Sequence, residues 1–447
     1  MGDDLEEVNA SLAEWLIAYN AVRPHQSLGY LTPLEFAEEY AQVLPMYSSH
    51  TKACFFSLMV IIIDKVQLGG TKMSLIKNQA QVEDLARGTT FFGTGGGGEP
   101  TQGVNALLSE LEQGKEISLI DVQELNDNDL VACPFLMGSI APMTEEKLKE
   151  MEFFGLSKKT YDYKTMMARA VEELSDYTGK RIKAIVPIEL GGANTAAAIA
   201  AASSLNLKII DGDFAGRAIP EIPQTTPFLS GKTLFPISSV DEYGNICIIK
   251  NAINVLIAER IGKYLSAASF GVAAQCGFLM SGKDAKETVI SKTVSECLEV
   301  GKFIRESRKS GQNILDLLVK KVNGWLLFKG ILSGKETEDK DGYYWGVNTI
   351  NGLDGFSGQT FKIWFKNENH VSWKNDKPFV TSPDLIIVVD MNTGEPITNT
   401  NLKVNDRVGV IGIKAKEIFR TEKGLDILGP KHFGFDLSYK PIETLVK

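Results

Sequence analysis

Residues 182–221 read IKAIVPIELGGANTAAAIAAASSLNLKIIDGDFAGRAIPE. The stretch opens on Ile182–Pro187, a short apolar run suited to a buried strand. Gly191–Ser204 follows, small and alanine-rich, which predicts a closely packed helix. Leu207–Asp211 is a second apolar run that ends in a polar turn. Strand, helix and strand at this spacing predict a βαβ unit. Each strand runs into a polar cluster, and the carboxyl ends of strands are where open α/β sheets hold ligands.

Outward from this unit the same alternation continues. Asn78–Arg87 predicts a short polar helix, and Thr89–Phe92 a strand entering the glycine loop Gly93–Gly98. Val104–Glu112 has helical spacing, with Val104, Leu107, Leu108 and Leu111 on one face. Ile117–Val122 and Leu130–Pro134 predict strands. Thr144–Phe153 predicts a charged helix capped by Thr144, and Lys164–Thr178 another helix. The pattern changes near Gly244. Lys250–Ala267 and Lys283–Glu306 are long helical patterns, and from Gly324 onward strands dominate. The fold expected is an α/β N-terminal domain over 73–245. A helix-and-β-rich, largely antiparallel C-terminal domain follows over 246–447.

The chain has 447 residues, 44% of them hydrophobic and 23% charged. These are ordinary values for globular proteins, so general disorder and a collagenous chain are excluded. A net charge of -9 gives no overall pull toward nucleic acid or anionic membrane. The five cysteines are sparse and irregularly spaced, which argues against a disulfide scaffold and for the cytoplasm. No HxxxH or HExxH pattern occurs among the four histidines.

Residues 11–36, SLAEWLIAYNAVRPHQSLGYLTPLEF, resemble the C-terminal end of the integrase-type domain of insertion-sequence transposases. The resemblance rests on Trp15, Tyr19-Asn20, Arg23-Pro24-His25-Gln26-Ser27-Leu28 and Leu31-Thr32-Pro33. In that family the catalytic carboxylates lie mostly upstream, so transposition by this chain is not expected. Leu68-Gly69-Gly70-Thr71-Lys72-Met73 can be back-translated to contain AGGAGG shortly before a start codon. Residues 1–72 are therefore expected to be a transposase-like remnant plus translated intergenic sequence. The apolar run Ala53–Ile63 is about half the length of a membrane span.

Three clusters could carry chemistry. The glycine loop resembles an anion cradle, but no Lys-Ser or Lys-Thr follows and Glu99-Pro100 occupies the helix entry. Its glycines Gly95, Gly96 and Gly97 are candidates for close substrate approach, or else serve a tight turn. Glu189 and Asn194 flank a Gly-Gly turn just past a strand, as ligand groups or as a helix cap. Asp211, Asp213, Arg217 and Glu221 make a dense polar set that could supply a general base, a charge stabiliser or hard metal ligands. A surface turn closed by an Asp–Arg pair is the competing reading. No cofactor is legible; a divalent metal stays open, without diagnostic ligand spacing. Cys133 and Cys276 read as inert packing, and His370 and His432 as surface or satisfied histidines.

With these motifs in hand, residues from about 76 to 441 resemble the S-methyl thiohydantoin desulfurase family, formerly a domain of unknown function. The carriers are Gly93-Thr94-Gly95-Gly96-Gly97, Glu189-Leu190-Gly191-Gly192-Ala193-Asn194 and Asp211…Gly216-Arg217-Ala218…Pro220-Glu221. Further carriers are Phe365-Lys366-Asn367-Glu368-Asn369, Ser382-Pro383-Asp384-Leu385-Ile386, Thr393-Gly394-Glu395-Pro396-Ile397 and Gly429-Pro430…Phe433-Gly434-Phe435-Asp436. The resemblance implies a hydrolase of hydantoin-like rings, in which water displaces methanethiol from an S-methylated ring. An accessory or ligand-binding protein working with a hydantoinase is the alternative. Under the first reading Asp211 or Asp213 activates water, and Arg217 stabilises negative charge or holds a substrate carboxylate. Glu189 and Asn194 then bind ring N–H and C=O groups. Phe214 and Ser139-Ile140-Ala141-Pro142 depart from the family pattern, which leaves the substrate open. The expected partner is a small molecule, with neither nucleic acid nor membrane, and a homo-oligomer is left open.

Overall fold

The computed structural model describes residues 74–139, 143–156 and 158–446. The readings made on residues 1–72, and on Ile140-Ala141-Pro142, lie outside the described residues. These described residues form one compact unit.

The chain enters through β1 (Ser74–Ile76), α1 (Gln79–Phe92) and α2 (Pro100–Glu112), then β2 (Ile117–Ile120) and β3 (Leu130–Gly138). Next come α3 (Glu145–Phe153), α4 (Tyr163–Thr178), β4 (Ala184–Ile185), α5 (Asn194–Ser204), β5 (Lys208–Ile210) and β6 (Gly212–Asp213). β7 (Ile237–Asp241), β8 (Ile246–Ile249), α6 (Val255–Ala268) and β9 (Val272–Ser281) follow. The first sheet has the order β1-β2-β5-β4-β3-β9-β7-β8. Its centre, β2-β5-β4-β3, is parallel, as the βαβ reading requires. Its flanks are antiparallel, so the sheet is mixed. The strand β9, which sequence reading did not find, lies beside β3 in the middle of this sheet.

After α7 (Gly282–Thr288), β10 (Ile290–Ser291), α8 (Thr293–Ser307) and α9 (Ile314–Lys321), the chain builds a second sheet. Its strands are β11 (Trp325–Lys340), β12 (Tyr343–Gly352), β13 (Thr360–Lys366), β14 (Glu368–Lys374), β15 (Lys377–Thr381), β16 (Leu385–Asp390) and β17 (Arg407–Ile413). The order is β15-β14-β13-β12-β11-β17-β16, antiparallel at every pairing, as expected for the C-terminal half.

Two local expectations change. Thr89–Phe92 is the last turn of α1, not a strand. The Thr89 and Thr90 hydroxyls donate to the carbonyls of Leu85 and Ala86, one turn back, which accommodates β-branched residues in a helix. The pattern Lys283–Glu306 is two helices broken by β10, because Ile290-Ser291 pairs with Gly212-Asp213. α8 crosses α1 at two glycines. A Cβ on Gly88 would meet the Cys297 carbonyl at 1.7 Å, and one on Gly301 the Asp84 carbonyl at 1.7 Å. Among the described residues no helix is long and apolar enough to cross a membrane.

Candidate functional site

The glycine loop leaves α1 and binds both sheets. Thr94 O accepts from Asn369 N at 2.8 Å, and Gly95 O from Asn399 N at 2.7 Å, both on the second-sheet side. Gly97 O accepts from Ala193 N at 3.0 Å, at the start of α5. Gly97 and Gly191 meet face to face: a Cβ on Gly97, where φ is +80°, would lie 2.3 Å from Gly191 Cα. The two glycine motifs thus form one contact. The closest approach their glycines permit is of the protein to itself.

Beside this contact is a cavity of about 700 Å³, of the size that takes a small organic ligand. Gly95, Gly96, Gly97 and Gly98 of the glycine loop line it, with Glu189 and Asn194 from the βαβ unit and Asn367 and Glu368 from the second sheet. Lys263, from α6, also reaches it, and Phe135, Ile188, Ile219 and Val272 add apolar surface. Two lining ion pairs, Lys147–Asp339 at 2.5 Å and Lys159–Glu242 at 2.7 Å, are partly exposed.

Glu189 is buried and both its oxygens are engaged. Oε1 accepts from Asn194 Nδ2 at 2.8 Å, and Oε2 from Ile219 N at 2.7 Å. Asn194 is fixed in turn, because its Oδ1 accepts from Leu136 N at 3.0 Å. Burial pushes the Glu189 carboxyl up to about 7, more than the two hydrogen bonds pull it down. It is therefore poised to exchange a proton near neutrality.

Glu368 faces it electrostatically. It starts β14 immediately after Asn367, which stands alone between β13 and β14 at φ +58°. Asn367 is pinned: its N–H donates to Tyr344 O at 2.7 Å, and its Oδ1 accepts from Tyr344 N at 2.9 Å. Asn399 Nδ2 bonds Asn367 O at 2.9 Å and Asn369 Oδ1 at 3.0 Å. Glu368 is only 2% exposed, and its Oε2 has no hydrogen-bond partner among the described residues. Burial, then the neighbouring Glu189 charge, pushes its carboxyl well above the usual range. A Cβ on Gly96 would strike Glu368 Oε1 at 1.9 Å, so the loop needs glycine there to admit this carboxyl.

The Asp211–Glu221 segment is placed differently from expectation. Asp213 was expected to activate water, yet it does not line the cavity and its carboxylate is fully engaged. Oδ2 accepts from Ala215 N and Gly216 N at 2.9 and 2.7 Å, and Oδ1 from the Thr293 hydroxyl at 2.8 Å. Burial raises it to about 6. Asp211 accepts from Ser295 N at 2.8 Å and also lies off the cavity. Together they tie the βαβ unit to α8.

Arg217 is 1% exposed and off the cavity as well. Its guanidinium donates to Thr94 Oγ1 at 2.8 Å, Asn369 O at 2.9 Å, Ala218 O at 3.0 Å and Pro383 O at 3.3 Å. It joins the glycine loop to the second sheet rather than holding a substrate carboxylate. Burial lowers it to about 10, opposed by the charges of Glu368 and Glu189. Glu221 pairs with Lys366 and accepts from His432 Nε2 at 2.6 Å. Burial raises its carboxyl, but His432 and Lys366 outweigh that and hold it at about 2.

His432 is satisfied, as expected. His370 is not: it is buried, stacked on Phe433 at 4.0 Å, and neither ring nitrogen has a hydrogen-bond partner among the described residues. Cys133 and Cys276 are buried beside each other on β3 and β9, and burial raises both thiols. Among the described residues, no group of three or more His, Cys, Asp or Glu stands where it could hold a metal ion. Glu368 lines the cavity and was not among the candidates read from the sequence. Its signal was the string Phe365-Lys366-Asn367-Glu368-Asn369, which counted only as a mark of resemblance.

Comparison with known proteins agrees with the motif order. The N-terminal domain of the S-Me-THD-like family matches residues 80–251, and its C-terminal domain residues 253–442. An integrase core domain matches residues 1–33. A crystal structure of a protein from Chromobacterium violaceum is similar, with a TM-score of 0.66 at 19% identity. The match covers 83% of this chain and 100% of that one, and at this identity it speaks for the fold alone. No curated protein matches the chain.

Proposed function

Since the chain belongs to the S-Me-THD-like family, we propose that its cavity hydrolyses a hydantoin-like ring, releasing methanethiol from an S-methyl thiohydantoin. The observation that carries this reading is the pair of buried carboxyls, Glu189 and Glu368, that line one cavity. Both are shifted up by burial. Two buried carboxyls in one cavity can divide the roles of base and acid.

In this reading Glu189, ionised above about 7, accepts a proton from a water held in the cavity. The water oxygen bonds to the ring carbon that carries the methylthio group. Glu368, which stays protonated, donates its O–H to the adjacent ring nitrogen and so stabilises the negative charge developing there. The carbon–sulfur bond then breaks and methanethiolate leaves. Of the two water protons, one ends on the ring nitrogen and one on the thiol, so the product is a hydantoin and no oxidant is needed. Asn194 orients Glu189, and the glycine loop leaves room for Glu368. The roles first assigned to Asp211, Asp213 and Arg217 pass in this reading to Glu189 and Glu368.

The test is incubation of the full chain with hydantoins, thiohydantoins and S-methyl thiohydantoins, following ring absorbance and free thiol. Thiol release confined to S-methylated rings supports the reading. Ring opening without thiol points to amide hydrolysis instead. Silence from a folded protein points to an accessory role beside a hydantoinase.

A further inference from the structure

Four of the described residues that line the cavity are lysines. Lys147 is held by Asp339 and Lys159 by Glu242. Lys340 stands exposed at the tip of the β11–β12 hairpin. Lys263 is different: it is half-buried, and its ammonium makes neither an ion pair nor a hydrogen bond among the described residues. What it meets is the face of Tyr343, at 4.0 Å from the ring centre. The carboxylate one turn earlier on α6, Glu259, is already engaged. It accepts from the Tyr343 hydroxyl at 3.1 Å and from Ile222 N at 3.2 Å.

The sequence around Lys263 sets this position. Gly262 lets α6 close on β9: a Cβ there would lie 2.5 Å from Gln275 Oε1, and Gln275 Nε2 donates to Gly262 O at 3.0 Å. The next residue, Lys263, is thereby carried to the cavity, with Ser266 and Ala267 one turn on. Its stem runs past the β11–β12 turn, where a Cβ on Gly342 would lie 3.4 Å from Lys263 Cδ. An ammonium held in part from water without a counter-ion is costly unless an anion meets it there. Its charge also reaches both carboxyls of the site. Burial raises Glu189 and Glu368, and the Lys263 charge pulls each back down. Burial in turn lowers Lys263, against the charges of Glu259 and Glu368.

The hydrolysis proposed above releases an anion, methanethiolate, into this space, and a carboxylate would repel it. Resting on that reading, we propose that Lys263 is the group that meets the departing sulfur: its ammonium stabilises the thiolate as the carbon–sulfur bond breaks and gives it a proton. The carbon–sulfur electron pair stays on sulfur, an S–H bond forms, and one N–H bond of Lys263 breaks. The amine left behind regains its proton from Glu189, which took one from the attacking water. The other water proton passes from the new hydroxyl to the ring nitrogen, so the overall reaction is unchanged. A lysine lowered by burial approaches an alkyl thiol in proton affinity, which suits transfer between them.

The test compares two leaving groups on one ring, methylthio and trifluoroethylthio, in the full parent chain and in Lys263→Met. Trifluoroethanethiolate is the weaker base and leaves with less need of a proton. The expected result is a kcat for the methylthio ring lowered about 100-fold in the variant, against less than about ten-fold for the trifluoroethylthio ring, with circular dichroism unchanged. Lys263→Gln is the second variant, should the first fold poorly. An active parent whose folded variants slow both rings equally, or neither, overturns the role of Lys263 and leaves the hydrolase reading standing. A parent chain that releases thiol from neither ring overturns that reading and this proposal together.

Discussion

Replacing Arg217 with methionine separates a structural bolt from a substrate-binding group. The guanidinium donates to three backbone carbonyls and the Thr94 hydroxyl, and all of these lie in the interior. A hydrogen bond to a charged group contributes about 1.5–3 kcal/mol, so the four set a gross figure of about 6–12 kcal/mol. Against that stands the several kcal/mol spent on desolvating the guanidinium, which the methionine does not require. What remains is the cost of orphaned acceptors, and removal of one partner from a buried charged network costs about 3–5 kcal/mol. The predicted loss is about 4 kcal/mol. With a urea slope of about 3 kcal/mol/M, the unfolding midpoint falls by more than 1 M. The assay is urea unfolding at pH 7 followed by tryptophan fluorescence, beside thiol release per folded molecule. A midpoint equal to the parent's with abolished turnover would refute the reasoning, because Arg217 would then act on the substrate.

Asp213→Asn should retain most turnover, since an amide oxygen can still receive the Ala215 and Gly216 N–H groups; loss of turnover in a folded variant would return Asp213 to the chemistry. Gly96→Ala should lower kcat/KM at least ten-fold and stability by about 1–3 kcal/mol, because the new methyl would lie 1.9 Å from Glu368 Oε1; unfolding and rate measurements on one preparation check both. Burial pushes the Glu189 carboxyl up to about 7 in the folded chain, from an ordinary value of 4.5. The fold therefore holds that proton more tightly, and this contribution is full below about 4.5 and is lost as pH rises toward 7. Glu189→Gln should flatten that part of the stability–pH curve by about 3 kcal/mol, as read by urea unfolding from pH 4.5 to 8, while an unchanged curve would count against the shift.

The order of chemistry along the chain was more legible than its assembly. The βαβ stretch at 182–221 predicted parallel pairing because burial on both faces leaves a continuous apolar run. The second sheet announced itself by turns at short intervals. β9 escaped because its run Ala273-Ala274-Gln275-Cys276-Gly277 is small and carries a buried glutamine, Gln275. Thr89–Phe92 misled because β-branched and aromatic residues read as a strand, whereas hydroxyl back-bonding and burial at helical spacing make them helical. Glu189 and Asn194 were readable from a strand's end. Asp213 lies off the cavity, which was not legible because composition cannot tell a carboxylate that caps its own turn from one that faces a cavity. Glu368 reaches the cavity only because a hairpin from the other sheet brings it against Gly96, a contact between residues distant in sequence.

The most direct measurement is thiol release from an S-methyl thiohydantoin by the parent chain, Glu189→Gln and Glu368→Gln, followed across pH 5 to 9. The account predicts a parent rate that rises through about 7, as Glu189 ionises. Both variants should be folded and reduced at least 100-fold, with the Glu189→Gln remnant no longer following that rise. Parent-like rates in either variant, or a parent profile flat across this range, would contradict it.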